Sequence, residues 1–333
     1  MNLLTREWVI IATERAKRPT DYKNPSSFTR PVPPNYLNTC PFCDGNEHKT
    51  PDELLRVADD GKWKIRVVTN KYPALRNKGE RKWWGDDGAR SISGVGVHEI
   101  IIESPLHNAG MAFMDVKHIE AILAVYRERF IEAHKDPRVE HVTIFKNHGE
   151  GSGTSIVHPH SQLIGTPVVP IQFRDRVQSA MHFFDDTGKC LVCSILEKEK
   201  TEGRRVLLDT DHFMTFIPYA AISPFHTWIF PKRHTATFSD IRDDELRDMA
   251  MHLKTLLAKF YYGLDDPDYN FVIRSSGPGD AGYEYCHWYL AVIPRITKNA
   301  GFELGSGMFI NASLPEESAD FLKTVKIEQL NGE

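Results

Sequence analysis

The order of features along the chain repeats once, and that repetition constrains the fold more than any single motif. A Cys-x-x-Cys pair (Cys40, Cys43) precedes a strand-like HEIIIESPLH at 98–107. A helical run over 118–136, a strand HVTIFKN at 141–147, a glycine-rich turn and VHPHSQLIGTP follow. A second Cys-x-x-Cys pair (Cys190, Cys193) precedes HTWIFPKRH at 226–234, a helical run over 243–263, YNFVIRSSGPGDAG and CHWYLAVIPR. Ile119, Ile122, Leu123, Tyr126 and Phe130 in the first helical run, and Leu246, Met249, Leu253, Leu256 and Phe260 in the second, fall at the spacing of one apolar helix face. His107 and His158 lie 51 residues apart, and His234 and His287 lie 53 apart. The Cys-to-His segments differ more, as loops allow. A duplicated unit of antiparallel strands and one long packed helix follows, an α+β fold rather than βαβ alternation. The units are expected at residues 1–170 and 171–333, meeting near TPVVPIQFRDRV (166–177), which reads as a loop.

Cys-x-x-Cys pairs in a reducing compartment point to metal or redox chemistry rather than structural disulfides. Zinc favours four tetrahedral thiolate and imidazole ligands, so each pair needs two histidines from its own copy. The first set is Cys40, Cys43, His107 and His158; the second is Cys190, Cys193, His234 and His287. Buried small cysteines and surface histidines would explain one pair, but not two pairs followed by histidines at matched places. Four protein ligands leave no position for substrate, so both sites are expected to hold structural Zn2+.

His158, His160 and Gln162 alternate along a strand-like run and so share one face. With His158 tied to metal, His160 is free to react. Gly149, Gly151 and Gly153, with Ser152 and Ser155, precede this run and can offer backbone and hydroxyl donors to phosphate oxygens. Arg15 and Arg18 can neutralise phosphate charge. The net charge of −4 gives no basic field for nucleic acid. No apolar run approaches the roughly 20 residues of a membrane span, and the N-terminus reads as a strand rather than a signal peptide. A cytoplasmic protein without membrane or nucleic-acid partners is expected.

His-x-His-x-Gln followed by apolar residues resembles the histidine-triad (HIT) superfamily. HPHSQ with CPFC upstream is similar to its galactose-1-phosphate uridylyltransferase branch. REWVIIATERAKRP, CPFCDGNE, VVTNKYPAL, FKNHGEGSGTSIVHPHSQ, SPFHTWIFPKRH and AGFELGSGMFIN extend the likeness nearly end to end. The resemblance implies a catalytic HIT-like domain followed by a HIT-like domain with a degenerate triad. In the second copy Tyr289 and Ala291 stand where His160 and Gln162 stand in the first. It also implies a double displacement in which His160 takes a nucleotidyl group from a nucleotide sugar, and a hexose 1-phosphate or phosphate then accepts it. Gln162, an amide where the superfamily's hydrolases carry a third histidine, favours transfer over hydrolysis. By the same resemblance Asn70 and Asn147 contact nucleotide, phosphate or sugar. Phe302 and Glu303 reach a neighbouring subunit's site, so a homodimer is expected. UDP-glucose:hexose-1-phosphate (galactose-1-phosphate) uridylyl transfer, and with it a place in galactose and carbohydrate metabolism, is the expected activity. An ADP-glucose phosphorylase is the alternative: RAKRPTDYKNP, WKIRVVTNKYPAL and CHWYLAVIP are closest to that enzyme, and no Gln follows Glu303 at the matching place. A HIT nucleotide hydrolase and a non-catalytic zinc- or nucleotide-binding protein are the remaining readings.

Overall fold

The computed structural model describes residues 1–15, 22, 33–86 and 88–327. A short strand β1 (Val9–Ile11) precedes the first copy. That copy runs β2 (Glu53–Asp59), β3 (Lys62–Thr69), the hairpin β4 (Trp83–Gly85) and β5 (Arg90–Ile92), β6 (Val97–Ile102), α1 (Val116–His134), β7 (His141–His148) and β8 (His160–Thr166). Helices α2 (Ile171–Thr187) and α3 (Leu191–Glu202) lead into the second copy. It runs β9 (Val206–Asp209), β10 (Phe213–Phe216), β11 (Thr227–Pro231), α4 (Asp243–Leu264), β12 (Tyr269–Arg274) and β13 (Tyr289–Pro294). The chain then forms α5 (Gly301–Ser306), β14 (Phe309–Asn311), which pairs with β1 in parallel, and α6 (Pro315–Thr324).

The two copies share one ten-stranded sheet in the order β2-β3-β6-β8-β7-β12-β13-β11-β10-β9, and every neighbour in it is antiparallel. The order is palindromic: β2 answers β9, β3 answers β10, and β7 meets β12 at the seam. Helices α1 and α4 pack against each other. Their apolar stripes enter one core with the inward residues of both half-sheets, among them Ile101, Ile144, Leu163, Phe271 and Leu290. All ten helix positions picked out by spacing are buried there. Among the described residues no helix is long and apolar enough to cross a membrane.

Two local expectations are corrected. Residues 171–177 are the first two turns of α2, not loop. Pro170 stands at its N-cap, where proline's fixed φ and missing N–H are tolerated. Phe173, Val177, Ala180 and Phe184 keep the spacing of an apolar helix face, although Ala180 is the only residue α2 buries fully. His158 lies just before a strand rather than within one: β8 begins at His160.

Beneath β8, on the helix side, the core of the first copy is polar. Lys146 donates to Glu103 at 2.5 Å and to the His160 carbonyl at 3.1 Å. Ser161 and Tyr126 give their hydroxyl hydrogens to the other Glu103 oxygen. Burial opposes the Glu103 charge, but the Lys146 cation and these hydrogen bonds outweigh it and hold the carboxyl below its usual pKa. By register the counterparts of Glu103, Lys146 and Ser161 in the second copy are Pro231, Ile273 and Leu290. The ion pair therefore belongs to the half that carries His160, and the fold tolerates an apolar replacement of it. Glu103→Ala leaves a buried ammonium uncompensated and is expected to cost about 3–5 kcal/mol of unfolding free energy in urea titrations. Glu103→Leu combined with Lys146→Met is expected to recover most of that loss.

Candidate active site and metal centres

On β8, Ser161 and Leu163 turn toward α1, so His160 and Gln162 face the opposite side of the sheet. That side carries Cys40, Phe42, Cys43, Ile100 and Ile102 as a separate apolar cluster. Cys40, Cys43, His107 and His158 converge there, their ligand atoms all within 4.8 Å of one another and all four residues buried. Cys43 Sγ lies 3.6 Å from both His107 Nδ1 and His158 Nδ1, and Cys40 Sγ lies 3.7 Å from His158 Nδ1. A zinc tetrahedron with bonds of about 2.3 Å to sulfur and 2.0–2.1 Å to nitrogen has S···N edges of about 3.6 Å. The first set therefore fits that ion. His158 Nε2–H donates to the Ser104 carbonyl at 2.7 Å, which turns the Nδ1 lone pair toward the thiols. Burial pushes the Cys40 thiol up, so a cation is what would make this site a thiolate site.

The second set, Cys190, Cys193, His234 and His287, converges in the same way. Cys193 Sγ is 3.4 Å from His234 Nδ1 and 3.8 Å from His287 Nδ1, and His287 Nε2 donates to the Pro231 carbonyl at 2.9 Å. It differs in access: Cys193 is half-buried and His234 exposed.

His160 follows the first centre at once. Its Nδ1 donates to the His158 carbonyl at 2.8 Å, leaving Nε2 with a free electron pair. The Phe42 ring stands edge-on 5.3 Å away. Burial, helped by the Lys146 cation, outweighs the hydrogen bond to His158 and lowers the imidazole pKa, which favours the neutral ring. Gln162, opposite Ile100 on one side and Phe145 on the other, shares this face. Asn147 lies two residues beyond Phe145 on β7, level with His160. Its Oδ1 accepts from Asn270 Nδ2 at 2.7 Å, which leaves the Asn147 NH2 outward.

The glycine turn is organised differently from expectation. The Gly151 N–H donates to an Asp268 carboxylate oxygen at 2.6 Å, the Ser152 hydroxyl to the Gly149 carbonyl, and the Gly153 N–H to the Glu150 carbonyl. A Cβ on Gly149 (φ 81°) would sit 1.7 Å from Asp268 Oδ1. Gly149 and Gly151 thus admit the carboxylate of the second copy rather than a phosphate. Gly153 borders open space beside Asn147, and Ser155 is exposed.

Asn70 lies at the end of β3, its Nδ2 2.9 Å from His98 Nε2, and His98 Nε2 is also 2.9 Å from Gln162 Oε1. His98, Asn270, Glu103 and Lys146 are the residues that sequence reasoning missed. Only His98 carried a signal, as a histidine opening a strand that leads to His107. Phe302 and Glu303 lie on α5, away from these contacts, and Glu303 caps its own helix through the Ala300 N–H at 2.8 Å. The side chain of Arg15 and all of Arg18 fall outside the described residues.

Residues 1–170 match the family model for the galactose-1-phosphate uridyl transferase N-terminal domain, and residues 176–289 match that for its C-terminal domain. An ADP-glucose phosphorylase of Arabidopsis thaliana is 37% identical over 330 residues, 97% of this chain and 92% of that protein. A galactose-1-phosphate uridylyltransferase of Thermotoga maritima is 27% identical over 337 residues, 98% of both. A crystal structure of an ADP-glucose phosphorylase from A. thaliana with bound ADP-glucose superposes with a TM-score of 0.77 at 31% identity, covering 93% of this chain and 98% of that one. With both domain models matched and a relative this similar along its whole length, the chain belongs to the galactose-1-phosphate uridylyltransferase family.

Proposed function

We propose that the chain is a nucleotidyltransferase working through a covalent nucleotidyl-His160 intermediate, with ADP-glucose as donor and phosphate as acceptor. The observation that carries the chemistry is the neutral, buried imidazole whose Nδ1–H is committed to the His158 carbonyl. Its Nε2 lone pair attacks the α-phosphorus. The bond to the bridging oxygen breaks, glucose 1-phosphate leaves, and the nucleotidyl group stays on nitrogen. A phosphate oxygen then attacks the same phosphorus, the P–N bond breaks, ADP leaves, and His160 is free again. The NH2 groups of Gln162 and Asn147 serve as donors to the phosphoryl oxygens. Gly153, Ser155, Asn70, Arg15 and Arg18 complete the proposed substrate contacts, and the two units divide at 170/171.

Adenylyl transfer is preferred to uridylyl transfer because the phosphorylase relative is 37% identical against 27% for the uridylyltransferase. The missing glutamine after Glu303 points the same way. Uridylyl transfer from UDP-glucose to galactose 1-phosphate is the second reading, favoured by the family-model matches in both halves. Incubation with each nucleotide sugar followed by intact-mass measurement is expected to give an adenylyl adduct with ADP-glucose. A uridylyl adduct alone would select the second reading. His160→Ala is expected to give neither adduct, and an adduct on that variant would overturn the assignment of the nucleophile.

Zinc is proposed at both four-residue centres, where it would hold the strand entries in place. Elemental analysis is expected to find about two zinc ions per chain. Chelators should strip the centre with the exposed His234 first, and Cys43→Ala should unfold the His160 half at a lower temperature. A homodimer is also proposed. The exposed Trp8 and Ile10 beside β14, and the exposed Leu304 on α5, are apolar groups that a second copy would cover. Leu304→Glu is expected to shift sedimentation toward the monomer.

A further inference from the structure

We infer that His98 is a positioning residue that sets the amide of Gln162, and with it the donor presented to the transferred phosphoryl group. The inference rests on nucleotidyl transfer through His160 as proposed above. The tautomer of His98 is fixed from the backbone: the Ala74 N–H donates to its Nδ1 at 3.0 Å. The ring hydrogen therefore sits on Nε2, and the group 2.9 Å from it is Gln162 Oε1. An N–H facing that oxygen locks the amide, since the reversed amide would set NH2 against N–H. The Gln162 NH2 is thereby turned outward on the face it shares with His160. Burial holds the His98 pKa below its usual range, so the ring is neutral and keeps this single donor.

Asn70 belongs to the same arrangement. Its Oδ1 accepts from the Tyr72 N–H at 2.9 Å, which directs its Nδ2 to His98 Nε2, a nitrogen already carrying a hydrogen. His98 thus stands between the Asn70 and Gln162 amides, and it is the Gln162 amide whose orientation it sets.

The second copy supplies a contrast. His226 precedes Trp228 by two residues as His98 precedes Ile100, and Trp228 pairs with Ala291 as Ile100 pairs with Gln162. With alanine in the glutamine position, His226 Nε2 instead accepts from Trp228 Nε1 at 3.1 Å, and its buried Nδ1 has no partner. The histidine is bound into an amide network only in the half that carries His160.

The test is a quenched-flow or intact-mass time course of adduct formation, with whichever nucleotide sugar labels the native protein. Gln162→Ala is expected to slow adduct formation about 100-fold, the size of losing one transition-state donor. His98→Phe is expected to slow it about 10- to 100-fold with zinc content and melting temperature unchanged. His98→Gln, whose amide can reach the Nε2 position, is expected to restore it to within several-fold of native. The double variant His98→Phe/Gln162→Ala should be no slower than Gln162→Ala by more than about threefold, because both remove the same donor. If the two losses multiply instead, or if His98→Phe labels at the native rate, the positioning role is overturned while nucleotidyl transfer stands. If the native protein acquires no adduct, the proposed reaction falls, and this inference with it.

Discussion

His158 is held at three points, and the geometry of His160 hangs on that grip. Its Nδ1 faces Cys40 and Cys43, its Nε2–H is bound by the Ser104 carbonyl, and its own carbonyl receives the Nδ1–H of His160. The carbonyl can select the tautomer of His160 only while the ring and backbone of His158 stay fixed. A metal at the Cys40–Cys43–His107–His158 centre would thus act on the chemistry without touching substrate. Its effect passes through one residue of backbone.

Around His160 the described residues offer amide donors. Gln162 and Asn147 each have their carbonyl oxygen engaged, by His98 and Asn270, so each presents NH2. The Lys146 charge lies on the helix side of the sheet, paired with Glu103. Such a surface suits an anion whose charge shifts but does not vanish during transfer. In the second copy the same surface is filled. Tyr289, at the His160 position, stacks on Phe230 at 4.7 Å, and Leu191 and Val192 of α3 close over that cluster. The second half keeps its Cys-His cluster but has aromatic and aliphatic side chains where the first half has His160 and Gln162.

Much of this was legible in the sequence because duplication enforces itself through spacing. Both long helices, the repeated strand-like segments around them and both four-residue clusters follow from apolar periodicity and from cysteines and histidines at matched intervals. The alignment of Tyr289 with His160 and Ala291 with Gln162 is borne out by the strand register. The start of helix α2 reads as loop because it follows the proline-rich TPVVP, although Phe173, Val177, Ala180 and Phe184 keep helical spacing. His98, Asn270 and the Glu103–Lys146 pair were not legible for another reason. Each acts through a partner distant in sequence, which no local pattern marks. For Asn270 the partner lies 123 residues away. The glycine turn shows the converse error: its glycines signal close approach, and what approaches is Asp268 rather than phosphate.

The palindromic strand order has a consequence for the two halves as separate objects. Each half ends inward on a strand whose outer hydrogen-bonding edge is covered only by the other half, β7 by β12. Cut apart, either half would display an open edge strand, which readily recruits another strand. The matching edge is available on a second molecule of the same half. The covalent chain between the copies therefore does more than tether them. It guarantees unlike pairing at a seam that would otherwise join like to like, and so keeps the half that carries His160 beside the half that carries Tyr289 in every molecule.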